Sequence, residues 1–203
     1  MLSFLILVWE AIIAAVEEAV YKTGIADYTV SQSIIHWIIT CVLWGLSALL
    51  LIKLSGKFLN FDLTSFREKP SPKGIAVLII LAVLFVLYMS YSWNWVFKPY
   101  AEFNTLGLPR FIFQYIYYIF ETLVMYLIVS FAQEFGERLF KKRLIPYGGI
   151  FLGLTWGIGH FFTQDFATGV LAIVAGAILG LVYVAAKKNP KYAFPIMVLL
   201  FMI

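Results

Sequence analysis

An all-α, polytopic membrane fold is what this sequence predicts, and three observations carry the prediction. Hydrophobic residues make up 63% of the 203-residue chain and charged residues only 13%, with a mean hydropathy of +0.92. A soluble domain is about 45–50% apolar and about 25% charged, so that class is excluded, and disorder is excluded by the same hydrophobicity. The apolar residues form continuous runs without the alternation of a membrane β-barrel. Several runs reach the roughly 20 residues that cross a bilayer core. Together they predict about seven transmembrane helices, the last one short, in a single membrane domain over residues 1–203.

The first run, Leu2–Tyr21, has no basic leader and carries Glu10, Glu17 and Glu18, which reads as a retained helix and not a signal peptide. Ser33–Ile52, Gly74–Phe97, Phe111–Ala132, Tyr147–Phe162 and Thr168–Ala186 follow. The seventh, Tyr192–Ile203, has the length of a half-span or a short tilted helix. In the longest loop, Leu54–Lys73, the prolines of Pro70-Ser71-Pro72 mark a turn before the third span. Lys98–Arg110 reads as an outer loop, with Tyr91, Trp93, Trp95 and Tyr100 as an interfacial aromatic belt. In the sixth span, Ala172, Gly176 and Gly180 recur every four residues, a spacing that lets another helix approach closely. The single cysteine, Cys41, permits no internal disulfide.

Twelve of the fifteen basic residues fall on one set of connections: Lys53–Lys73, Arg138–Arg143 and Lys187–Lys191. The positive-inside rule places these loops and the N-terminus in the cytoplasm, as in an integral protein of a bacterial plasma membrane. The net charge of +4 follows from those loops. It implies contact with membrane lipids and needs no nucleic acid.

Ionisable groups inside a bilayer cost about 2.5–3.5 kcal/mol each on insertion scales, so they need partners or a purpose. Glu10, Glu17, Glu18, Glu121, Glu134 and Glu137 lie within or at the ends of spans, and His36 and His160 lie in or beside them. Glu134, Glu137 and Arg138 are spaced to share one helical face, and a salt bridge at a helix end is the plain structural alternative. His160, between glycines in Thr155-Trp156-Gly157-Ile158-Gly159-His160, is a natural proton carrier or oxyanion partner. At 1.5 Å per residue, helix continued to Arg143 leaves Glu134 and His160 about 6 Å out of register, close enough for one shared cavity. A second group, Glu17, Glu18, His36 and with them His160 and Asp165, could form an outward-facing polar cavity; a Glu18–Lys22 pair at the helix end is the simpler reading.

Over roughly Phe120–Ile203 the sequence resembles the CPBP family of CAAX-protease and bacteriocin-processing (Abi) intramembrane peptidases. The family pattern Glu-Glu-x-x-x-Arg becomes Gln133-Glu134-x-x-x-Arg138, and Phe-x-x-x-His becomes Trp156-x-x-x-His160. The helix Gly176–Tyr183, the basic turn and Tyr192-Ala193-Phe194-Pro195-Ile196 look like the lead-in to the family's last motif. That motif's His and Asn fall on Leu199 and Ile203, and its water-activating first Glu on Gln133. The resemblance implies a membrane-embedded endopeptidase or a protein derived from one, acting on a peptide or protein at the membrane. Glu134 would be the base, Arg138 its partner, His160 the polarising group and Glu137 a reserve carboxylate, with or without a divalent metal such as zinc. Two other classes remain open: a non-catalytic binding protein, such as a bacteriocin-immunity or scaffold protein, and a small transporter using Glu10, Glu17, Glu18 and Glu121.

Overall fold

The computed structural model describes residues 2–63 and 68–203; Met1 and residues 64–67, with Arg67 of the first basic loop among them, lie outside the described residues. The chain is 84% helical, and the described residues contain no strand. A 3₁₀ segment, Leu2–Leu7, leads into α1 (Val8–Tyr21), followed by α2 (Val30–Phe58), α3 (Pro72–Ser92) and α4 (Lys98–Phe140). Next come α5 (Tyr147–Leu152), a π-helical turn at Gly153–Gly157, α6 (Ile158–Thr163), α7 (Phe166–Ala185) and α8 (Pro190–Met202). Four of these, α2, α3, α4 and α7, are long and apolar enough to cross a membrane. The predicted first span is divided between the 3₁₀ segment and α1, and the fifth is interrupted by the π turn.

Helix starts follow the local chemistry. Thr29 and Gln32 form a reciprocal capping box at the head of α2. Ser71 caps α3 through the Gly74 N–H (3.1 Å), with Pro72 in the first turn where its missing N–H costs nothing. The start falls where the two prolines predict it. Asp165 and Asn189 cap α7 and α8 in the same way.

The core lies along α4, which packs against α2, α5 and α8, while α7 packs behind α5 and carries α3. Val124, Met125, Leu127, Ile128 and Val129 are fully buried there, with Trp44 of α2, Leu152 of α5 and Met197 of α8. The small-residue spacing has the expected use: a Cβ on Gly180 would lie 2.2 Å from the Gly149 Cα, so the backbones of α5 and α7 meet through two glycines.

The segment Lys98–Arg110 is not a loop. It is helical up to a break at Gly107, whose φ of +71° and ψ of 165° reverse the chain. Glu102 reaches Tyr115 (2.9 Å) and Tyr118 (2.7 Å), residues that an unbroken helix would hold about 20 and 24 Å away. Lys98–Leu106 therefore folds back on the next four turns of α4 as a helical hairpin. Gly107-Leu108-Pro109 breaks a helix as those residues should, but with helix on both sides.

Candidate functional site

The residues singled out in the fourth and fifth spans occupy two separate places. At the end of α4, Gln133 is fully buried and its side-chain amide is engaged at both ends. Its Nε2 donates to Glu137 Oε1 (2.7 Å) and to the Ile145 carbonyl (2.8 Å), and its Oε1 accepts from the Gly148 N–H (3.0 Å). The second oxygen of Glu137 pairs with Lys188 at the foot of α7. One residue further round the helix, Glu134 pairs with Arg138 (2.8 Å), whose side chain is 56% exposed and also reaches the Leu59 carbonyl (3.4 Å). Successive residues lie about 100° apart on a helix, so the 133/137 and 134/138 pairs point in different directions. Glu134, Glu137 and Arg138 do not form one polar face.

His160 sits elsewhere. Its Nδ1 hydrogen-bonds the Trp156 carbonyl (2.8 Å), its ring packs edge-on to the Trp156 indole, and that indole N–H donates to Glu121 (3.1 Å). Gln133 faces Gly148, and the twelve residues from Gly148 to His160 climb about 18 Å along the helix pair. The antiparallel packing of α4 against α5 is as expected, but Glu134 and His160 share no cavity. The register estimate assumed helix up to Arg143, whereas α4 ends at Phe140 with Lys141 in a left-handed conformation (φ +58°). Glu134, Glu137 and His160 thus do not fit a common metal. Among the described residues no three His, Cys, Asp or Glu side chains are grouped to hold one.

A second buried polar cluster gathers around Glu121, halfway along the apolar run Phe111–Ala132. Tyr117, one turn earlier, donates its hydroxyl to Glu10 of α1 (2.7 Å). On the hairpin, Glu102 accepts from Tyr118 (2.7 Å), Tyr115 (2.9 Å) and Gln114 (3.3 Å). Lys98, only 7% exposed, donates to the Phe201 carbonyl of α8 (2.7 Å) and lies over the rings of Tyr118 and Phe201 at 4.6 and 5.1 Å. Three carboxylates and one ammonium are thus linked through Tyr117, Tyr118, Trp156 and Phe201 where α1, both arms of the hairpin, the π turn and α8 converge. Glu10 and Glu121 were visible in the sequence as acids inside apolar runs. Lys98 and Glu102 were missed; the signal for them was Pro99 and Gly107-x-Pro109 bracketing a nine-residue helix.

The outer group predicted from Glu17, Glu18, His36, His160 and Asp165 reduces to one buried pair. Glu17 Oε2 bonds His36 Nδ1 (2.7 Å) and accepts from the Tyr28 hydroxyl (3.2 Å), while its Oε1 is buried with no hydrogen-bond partner. Burial, and then the Glu17 carboxylate, pushes the Tyr28 phenol up to about 12. Lys22 closes α1 with its backbone N–H on the Glu18 carbonyl (2.9 Å), and not through a side-chain pair. Asp165 caps α7, where the Thr168 N–H and hydroxyl hold its carboxyl below the usual range.

No family model, curated protein or solved structure matches this chain.

Proposed function

We propose that this chain is an integral membrane protein built on a CPBP-like helix core, with about seven membrane segments and a cytoplasmic N-terminus, and that it does not hydrolyse peptides. One observation carries the reading: Gln133, at the position where the resemblance implies a water-activating carboxylate, spends its whole amide on tying α4 to the start of α5. No free base stands at that position, and the nearest matching histidine is about 18 Å of helix away. Leu199, at another motif position, is apolar and 58% exposed. Gln133 acts as a staple between α4 and α5, while Glu134 and Arg138 pair with each other within α4.

Within the non-catalytic classes, the gathering of Glu10, Glu102, Glu121 and the buried Lys98 around Tyr117, Tyr118 and Trp156 favours proton-coupled binding or transport over a passive scaffold. Buried like charges are costly, so a cluster with three carboxylates for one ammonium works by exchanging protons or a cation with its surroundings. Two assays on the purified protein test both parts. In peptide cleavage, wild type, Glu134→Gln and His160→Ala are expected to be equally inactive; turnover that disappears in Glu134→Gln restores the peptidase. In liposomes carrying a pH gradient, wild type is expected to move protons and Glu121→Gln to lose that movement. Equal proton flux from the two proteins removes the transport reading.

A further inference from the structure

The structure assigns a binding site for one acyl chain of an anionic phospholipid to the groove between α3 and α8. The assignment rests on the membrane-spanning reading of the chain, and not on any role of the buried carboxylates. The groove encloses about 600 Å³ and runs from Ile75 to Val86 on α3 and from Tyr192 to Ile203 on α8. Those ends are eleven residue steps apart on each wall, or about 16.5 Å of helix. Its lining is apolar, with Leu78, Ala82, Ile196 and Leu199 among it, except at one end, where Lys69 and Tyr192 stand.

Both helices start at that end. Gly74 sits beside the Ala185 carbonyl, so the head of α3 lies against the foot of α7, and α8 begins five residues later at Pro190. The mouth therefore combines the Lys69 ammonium, the positive dipole ends of two helices and the Tyr192 hydroxyl. The neighbouring acid, Glu68, is already paired with Lys187 (2.6 Å).

Shape and polarity select the occupant. Because α3 and α8 touch each other, a third helix about 10 Å across cannot enter between them. An extended peptide would bring backbone N–H and C=O groups against walls that offer them no partner. A hydrocarbon chain carries no such groups, and a phosphate above it meets the positive mouth.

The test uses the full chain in mild detergent, incubated with phosphatidylglycerol or phosphatidylcholine of the same acyl composition. Retained lipid is counted by native mass spectrometry. Wild type is expected to keep phosphatidylglycerol several-fold better than phosphatidylcholine. Lys69→Glu should erase that preference, and Ala82→Trp, which fills the groove, should bring retention of both lipids to background. Leu199→Trp, on an exposed part of the wall, is the second filling variant should Ala82→Trp fold poorly. Equal retention of the two lipids by wild type, or unchanged retention in a well-folded filling variant, overturns the assignment. So does a concentration-dependent dimer that the filling variants dissolve, since the groove would then hold a second copy of the chain.

Discussion

Gln133 shows how much one side chain can hold in an apolar interior. Its amide satisfies the Ile145 carbonyl and the Gly148 N–H, two backbone groups that would otherwise be stranded where α5 begins. A buried polar group left unpaired costs about 1–3 kcal/mol. Gln133→Leu is therefore expected to lower stability by about 2–3 kcal/mol in thermal unfolding. Gln133→Glu should do no better. It removes both amide donors and sets a second carboxylate against Glu137, so the motif-like residue is the worse fit here. Asp165 gives a pH-dependent counterpart. Its carboxyl is held below the ordinary range by Thr168, so its stabilisation is present above that range and is lost as pH falls through the lowered value. The stability gap between wild type and Asp165→Ala should be constant near neutrality and close below about pH 4, the ordinary Asp range. A gap that is unchanged down to pH 3 would show that the cap does not act through its charge.

Among the elements, the α4 hairpin was the least legible from sequence. Lys98–Arg110 is polar enough, and marked strongly enough by Gly107 and Pro109, to read as a connection between spans. Only the tertiary contacts of Lys98 and Glu102 show that the segment is helical and turned inward. Gly107 occupies a φ/ψ region open almost only to glycine, where another residue costs about 1–3 kcal/mol. Gly107→Ala is expected to destabilise the protein by that amount and to speed amide exchange across residues 98–106. Gly159→Ala is the control. It lies in α6 with open space around its Cβ direction, so the change should be neutral or stabilise by up to about 1 kcal/mol. Equal effects from the two substitutions would remove the hairpin as a strained element. The register of Glu134 and His160 was illegible for a related reason: it depended on where α4 stops, and three residues of helix change a depth by about 4.5 Å.

At the level of the whole molecule, composition and run length were enough to indicate helices and several membrane spans, because the solvent imposes both. The small-residue stripe in α7 was legible too, since only small side chains let two backbones meet as Gly149 and Gly180 do. The candidate site was half legible. Acids inside apolar runs announce themselves singly, but their partners come from α1, the hairpin and α8, which no local pattern joins. The orientation proposed from the basic loops is open to direct test. On a Cys41→Ser background, a cysteine at Ser71 should be shielded from impermeant reagents in intact cells and labelled after permeabilisation. Labelling from outside would invert the topology.

The π turn at Gly153–Gly157 gives this fold one residue more than a regular helix needs between Leu152 and Ile158. A surplus of one residue is a phase shift of about 100° between the two halves of the segment. The glycine face that meets α7 and the Trp156–His160 face that meets Glu121 are thus set at independent angles. Removing a single residue from this turn would straighten the helix and force a choice between them: either α7 loses its glycine seam or the indole swings away from the carboxylate. Insertions and deletions, ordinarily tolerated in loops, act here as a rotary adjustment inside the bundle, and a chain of this kind could gain or lose its polar centre in one such step without changing any side chain within it.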